Sequence, residues 1–301
     1  MTTDTTQPIL SIVTPTHNAE KSLKRCLDSI LAQNFQAWEL LIIDSLSSDN
    51  TLPIARHAAE TDARIKIISE ADSGVYDAMN KGIRMAQGQW IYFLGADDTL
   101  FDESIIERML GQNSSNYDFL YGNVLKIPEE TVYDGEFDIA KILSKNICHQ
   151  AIFYRKSVFD RAGFFDTRFP VLADWAMNIK CMLSGDIRVK FVDTIVARFQ
   201  TGGLSTRTKS LDSGWEEERM RLLEQHFQLG PTENEHFRTI IEALLKQTNA
   251  AASPNVWKER HRNLMQVHNN LKNSYSYRIS RSLTWPVRVL KSAIQQRSKA
   301  Q

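Results

Sequence analysis

The chain has 301 residues, 42% of them hydrophobic, enough to bury a core in one large α/β domain with an appendage or in two modest domains. Its 36 basic and 36 acidic residues cancel, so charge gives no global sign of a nucleic-acid binder. No stretch approaches the roughly 18 consecutive apolar residues that cross a bilayer, and residues 1–8 lack the basic-then-apolar pattern of a signal peptide.

In chain order, the short apolar runs 9–13, 40–43, 65–68 and 90–94 read as buried strands. Between them Leu23, Leu27, Ile30 and Leu31 mark one face of a helix, and Ile83, Met85 and Ala86 continue a second helix that begins near Gly74. Strands alternating with helices predict an α/β fold with a mainly parallel sheet covered on both faces. Further on, runs 119–121, 152–154, 187–192 and 195–199 read as strands and 175–183 as a helix. After Gly202 and Gly203 the pattern turns helical, over 215–227, 237–245 and 256–271. The expected organisation is an α/β domain over 1–207 and a helical extension over 208–301.

Ligands of such sheets sit beyond the carboxyl ends of the strands. The polar residues there are Thr14-Pro15-Thr16-His17-Asn18, Asp44 to Asp49, Glu70 to Gly74, and Gly95-Ala96-Asp97-Asp98. Adjacent carboxylates such as Asp97 and Asp98 repel unless a cation or solvent offsets them, and a divalent ion shared with substrate phosphates is one solution. A solvated turn capping a helix from about Glu103 is the plainer reading. Asp72 or Ser73 suits the cap of a helix whose amides favour anions. On that helix Asp77 and Lys81, four apart, suit an exposed ion pair, and Asn80 and Lys81 stand where a phosphate or sugar would meet them. Asp174, before Trp175, suits either a helix cap or a general base beside an aromatic ring. His149, in Cys148-His149-Gln150, is either structural or near an acceptor.

In this order, the runs 11–18, 41–51 and 72–82 and the Asp97-Asp98 turn resemble glycosyltransferase family 2 over about residues 8–205. The resemblance implies a GT-A fold, a nucleotide-diphosphate-sugar donor, a divalent metal (Mn2+ or Mg2+) and inversion at the anomeric carbon. It implies that Thr14, Pro15 and Asn18 hold the nucleoside and that Asp44 accepts a hydrogen bond from base or ribose. Asp72, Asn80 and Lys81 would border the nucleotide and diphosphate. Asp97 and Asp98 would stand at the metal, with Asp98 favoured, and Asp174 would match the catalytic base, with His149 on the acceptor side. Three positions depart from the family pattern: Gly95 replaces the first metal-site aspartate, Ala173 the glutamate before the base, and Ser45-Leu46-Ser47 the usual Asp-Gly-Ser. A UDP-sugar is the expected donor, as the commonest among similar proteins, and a glycan or lipid-linked saccharide in bacterial polysaccharide assembly the expected acceptor. A nucleotidyltransferase is the rival enzyme, though Thr14 to Asn18 contains no glycine for a phosphate loop, and a non-catalytic binder of nucleotide-sugar or glycan is the third reading.

Cys26, Cys148 and Cys181 lack zinc-ligand or redox spacing, which predicts a cytoplasmic setting. Residues 255–301 hold ten Lys/Arg and only Glu259 as an acid, about +9 against about −9 for the rest. Mixed with Tyr, Trp and aliphatic residues, this tail predicts peripheral contact with anionic lipid at the inner face of the plasma membrane. A helix packed on the acidic body is its plainer reading. No nucleic-acid motif accompanies the charge.

Overall fold

The structure is a computed structural model that describes residues 7–111, 114–203 and 212–227, with Arg262 and Gln266. Four strands, β1 (Leu10–Thr16), β2 (Trp38–Asp44), β3 (Ile65–Ser69) and β4 (Trp90–Phe93), form a parallel half-sheet in the order β3-β2-β1-β4. Every residue of β2 is buried. Strands covered on both faces read as unbroken apolar runs, which is why these four are legible without alternation. The helices α1 (Leu23–Leu31), α2 (Thr51–Thr61) and α3 (Val75–Met85) connect them. Against β1, α3 packs so closely that a Cβ on Gly82 would come 2.3 Å from Val13 Cγ1. Only glycine permits that approach.

One polar group is built into this half. Glu39, 3% exposed on β2, accepts from Ser11 Oγ at 2.6 Å, from the Gln87 amide at 2.6 Å and from Lys66 Nζ at 2.8 Å. Burial pushes its carboxyl up, but Lys66, Ser11 and Gln87 together hold it below its usual range. Replacing Glu39 with Ala leaves the Ser11 hydroxyl and the Gln87 amide without their buried acceptor. The unfolding free energy should fall by about 2 kcal/mol, read from the urea midpoint, and an unchanged midpoint would contradict this account.

Beyond β4 the sheet becomes mixed. The strand β8 (Ile152–Arg155) pairs antiparallel with β4, and β6 (Phe119–Ile127) antiparallel with β8. Next comes β9 (Val189–Gln200), parallel to β6, with the two-residue β5 (Thr99–Leu100) at its far side and β7 (Thr131–Tyr133) paired to β6. The two strands expected over 187–192 and 195–199 are therefore one. Its polar Asp193 and Thr194 interrupt the apolar run where the ladder with β6 shifts register around Asn123. The helix expected from Glu103 is only α4 (Ile105–Met109), with Ser104 as its cap. The Asp97-Asp98 turn does not cap it, because β5 intervenes.

The shorter helices are α5 (Ile139–Ser144) and α6 (Ser157–Ala162). Helix α7 (Ala173–Leu183) begins two residues earlier than its apolar pattern, and α8 (Trp215–Phe227) matches its predicted span. Two compact units emerge: Met1–Phe137 with Lys145–Trp215, and Asp138–Ser144 with Glu216–Gln301. Within the second, Arg219 donates to the Leu143 carbonyl at 3.0 Å. The candidate helices 237–245 and 256–271 and the basic tail, apart from Arg262 and Gln266, lie outside the described residues.

Candidate active site

A cavity of about 440 Å³ opens at the carboxyl ends of β1 and β4. Strand ends supply Pro15, His17 and Asn18 and the run Gly95 to Asp98, and His149 and Gln150 line it as well. This is where ligands of parallel sheets bind.

The segment carrying His149 and Gln150 joins the two acidic positions. Gln150 Nε2 donates to Asp98 Oδ2 at 2.7 Å, while His149 Nδ1 lies 3.3 Å from Asp174 Oδ2. The Gln150 carbonyl accepts from Tyr92 Oη at 2.9 Å, which pins the turn to β4. Thus the Asp97-Asp98 turn and Asp174 meet at one cavity. Asp174, in the first turn of α7, is only 5% exposed and stands behind His149 rather than lining the space. The sequence reading put Asp174 itself against the acceptor. Of the pair, His149 lines the cavity.

Of the two adjacent aspartates, Asp97 is exposed in the cavity and Asp98 is 1% exposed. Both Asp98 oxygens are engaged, by Gln150 and by the Gln200 amide at 2.9 Å. Burial, and after it the charge of Asp97, pushes Asp98 up to about 7. Asp97 therefore faces the open space, while Asp98, the one favoured from the sequence, is buried and braces the turn. Neither carboxylate forms an ion pair with Lys or Arg among the described residues, and no group of three or more His, Cys, Asp or Glu gathers to hold a metal there. The exposed carboxylate of Asp97, with no Lys or Arg ion pair among the described residues, fits a hard divalent ion that takes its other ligands from phosphate oxygens and water.

Several residues expected in the donor site make hydrogen bonds within the fold or are buried in it. Asp44 is fully buried, and Thr16 Oγ1, Ser47 N, Ser47 Oγ and Ser69 Oγ fill its acceptor positions at 2.5–3.0 Å. Thr14 is also fully buried, inside the β1 core. Asn80 clamps a distant loop, donating to the Phe165 carbonyl and accepting from the Phe165 amide. Lys81 turns away to Glu70 at 2.9 Å and the Ala71 carbonyl at 2.6 Å, with Asp77 at 4.0 Å. Asp72 accepts from the Gly74 amide and Asp77 from the Ser73 amide, so these carboxylates already occupy the start of α3. That helix does border the cavity, but through Val75, Tyr76 and Met79. Positions spaced by three and four share one helix face, so the periodicity of α3 held this information.

Pro15 and Asn18 line the cavity. Asn18 takes a positive φ of 49°, which Asn tolerates, and its Oδ1 accepts from the Ser48 amide. His17, given no role from the sequence, donates from Nδ1 to the Ser45 carbonyl at 2.9 Å and meets Asn18 Nδ2 at 3.1 Å through Nε2. With both nitrogens committed, it can offer a ligand only its ring face.

A parallel nucleotide-type half-sheet, extended by a mixed half and edged with carboxylates at the strand ends, defines a GT-A glycosyltransferase. The profile described as "Glycosyl transferase family 2" matches residues 11–166, and the chain belongs to that family. The PGL/p-HBAD biosynthesis glycosyltransferase of Mycobacterium tuberculosis is 40% identical over 204 residues, covering 66% of this chain and 79% of the relative. Among solved structures, S. aureus TarS 1-349 in complex with UDP-GlcNAc has a TM-score of 0.62 at 18% identity, covering 86% of this chain and 81% of that one. The longer TarS chain is spanned over 49% of its length. The mannosyltransferase PcManGT from Pyrobaculum calidifontis, in complex with GDP-Man and Mn2+, has a TM-score of 0.53 at 19% identity, with 92% and 84% covered.

Proposed function

We propose that this glycosyltransferase moves a sugar from a UDP-sugar to a hydroxyl of a glycan or lipid-linked saccharide, with inversion, in bacterial surface polysaccharide synthesis. The observation that carries the reading is the His149-Gln150 segment, which ties Asp174 to Asp98 across one cavity.

In this reading the nucleoside packs against the ring face of His17 beside Pro15 and Asn18. The diphosphate lies at Asp97, where a divalent ion, when bound, would supply positive charge to the leaving group. Asp97 would hold that ion, with Asp98 directly behind it. Back-side attack needs a base across the sugar from the diphosphate, and His149, which lines the same cavity as Asp97, would serve as that base. Asp174 favours the proton on His149 Nδ1, which leaves Nε2 to take the proton of the acceptor hydroxyl. The reaction then proceeds at the cytoplasmic face of the membrane. None of the described helices is long and apolar enough to cross it.

Nucleotide release from UDP-, GDP- and dTDP-sugars, with and without manganese, tests this directly. A UDP-sugar should be turned over fastest, and faster with the metal. Release from none of the three would defeat the proposal, and a preference for GDP- or dTDP-sugar would overturn its donor.

A further inference from the structure

One cation beside the site has no part in the scheme above. Strands β6 and β9 run parallel in register, with Val124 opposite Ala197 and Lys126 opposite Phe199, so these side chains share one face of the sheet. Phe199 lines the cavity. Lys126 therefore stands one strand further out, on the same sheet face as Phe199.

Its ammonium lies 4.3 Å from the centroid of the Tyr133 ring, and Lys145 Nζ lies 4.2 Å from the same centroid. Tyr133 is held in place by its hydroxyl, which donates to the Asn146 carbonyl at 2.8 Å. Asp134 neutralises Lys145 at 2.5 Å. Glu129, three residues beyond Lys126, is taken by the Thr201 hydroxyl at 2.9 Å. Among the described residues, Lys126 forms no ion pair with a carboxylate. Both lysines are near enough to act on Cys148, the neighbour of His149. Burial, then Asp174, pushes that thiol up to about 12, while Lys126 and Lys145 pull the other way.

A half-exposed ammonium fixed over an aromatic ring, beside the catalytic imidazole, suits an anion on the molecule that delivers the hydroxyl. We propose that the acceptor carries a phosphate or carboxylate near its reacting hydroxyl and that Lys126 binds it. The inference rests on the transferase reading above. A lysine that only offset the field of Asp98 and Asp174 would affect neutral and charged acceptors alike.

The test is a titration of the full chain, saturated with UDP, by glucose, glucuronic acid and glucose phosphate. Wild type should bind at least one anionic probe about tenfold tighter than glucose. The arm that binds tighter separates a carboxylate from a phosphate source. Lys126→Met should erase that preference and Lys126→Arg should keep it, with UDP affinity unchanged in both. Equal affinity for all three probes, or a preference that survives Lys126→Met, would overturn the inference. If wild type fails to bind UDP at all, the donor reading itself is wrong, and this inference goes with it.

Discussion

Replacing Asp174 with Asn is expected to lower sugar transfer by about 10²–10⁴-fold, the range a positioned acid–base group contributes, while UDP affinity stays essentially unchanged. The carboxylate does not touch the cavity, so the loss would come through His149. An amide facing Nδ1 carries no charge to stabilise an imidazolium, and it no longer enforces the tautomer that leaves Nε2 free to accept. His149→Ala removes the proposed acceptor of the proton and should cost as much. If Asp174 instead reached the hydroxyl directly, His149→Ala would retain much of the rate while Asp174→Asn would not. Both variants should bind UDP, because Pro15, His17, Asn18 and Asp97 are untouched. Steady-state rates paired with nucleotide titrations separate these outcomes.

The parallel half of the fold was legible because burial on both faces leaves apolar runs that need no periodicity to be seen, as in Trp38–Asp44. The mixed half was harder to read. Two-residue β5 has too little sequence to carry a pattern, and Asp193 and Thr194 made one long strand look like two. Within the site, residues at strand ends were found but not their orientation. Asp44 looks available in sequence, yet its acceptors are consumed by a neighbour in the same loop, Ser47, and by Thr16 and Ser69 on the flanking strands. Only the register of β1, β2 and β3 brings those hydroxyls together. Asn80 met a comparable fate, since its partner Phe165 lies 85 residues away.

The pairing of His149 with Asp174, 25 residues apart, has the same origin. Family resemblance pointed to both residues separately, but nothing local says that one screens the other from the cavity. Gln150 entered the sequence reading only as the neighbour of His149, although it ties Asp98 to the segment that carries His149. A buried glutamine is ordinary in sequence. Its importance comes from adjacency to His149 and from its hydrogen bond to the buried Asp98.

Asp97 and Asp98 should part company when each is changed to Asn. Asp97→Asn removes the carboxylate exposed to the cavity and should weaken manganese-stimulated UDP binding by about tenfold to a hundredfold, with the melting temperature unchanged. Asp98→Asn should show the opposite balance. It keeps one acceptor for the Gln200 amide but sets an amide against Gln150, so the turn loosens and the melting temperature falls. Gly95 decides whether the family's missing aspartate could be restored. A Cβ there would stand 2.7 Å from Asp98 Oδ2 and 3.0 Å from Asp97 Oδ1, too close before any carboxylate is added. Gly95→Asp would crowd a third negative charge onto a pair already short of cations, so it should lower manganese-dependent UDP binding instead of raising it. Calorimetric titration of manganese in the presence of UDP reads all three variants. Tighter binding in Gly95→Asp would show that the turn has room for the family's usual ligand, and that Asp98 is not the brace its buried hydrogen bonds make it.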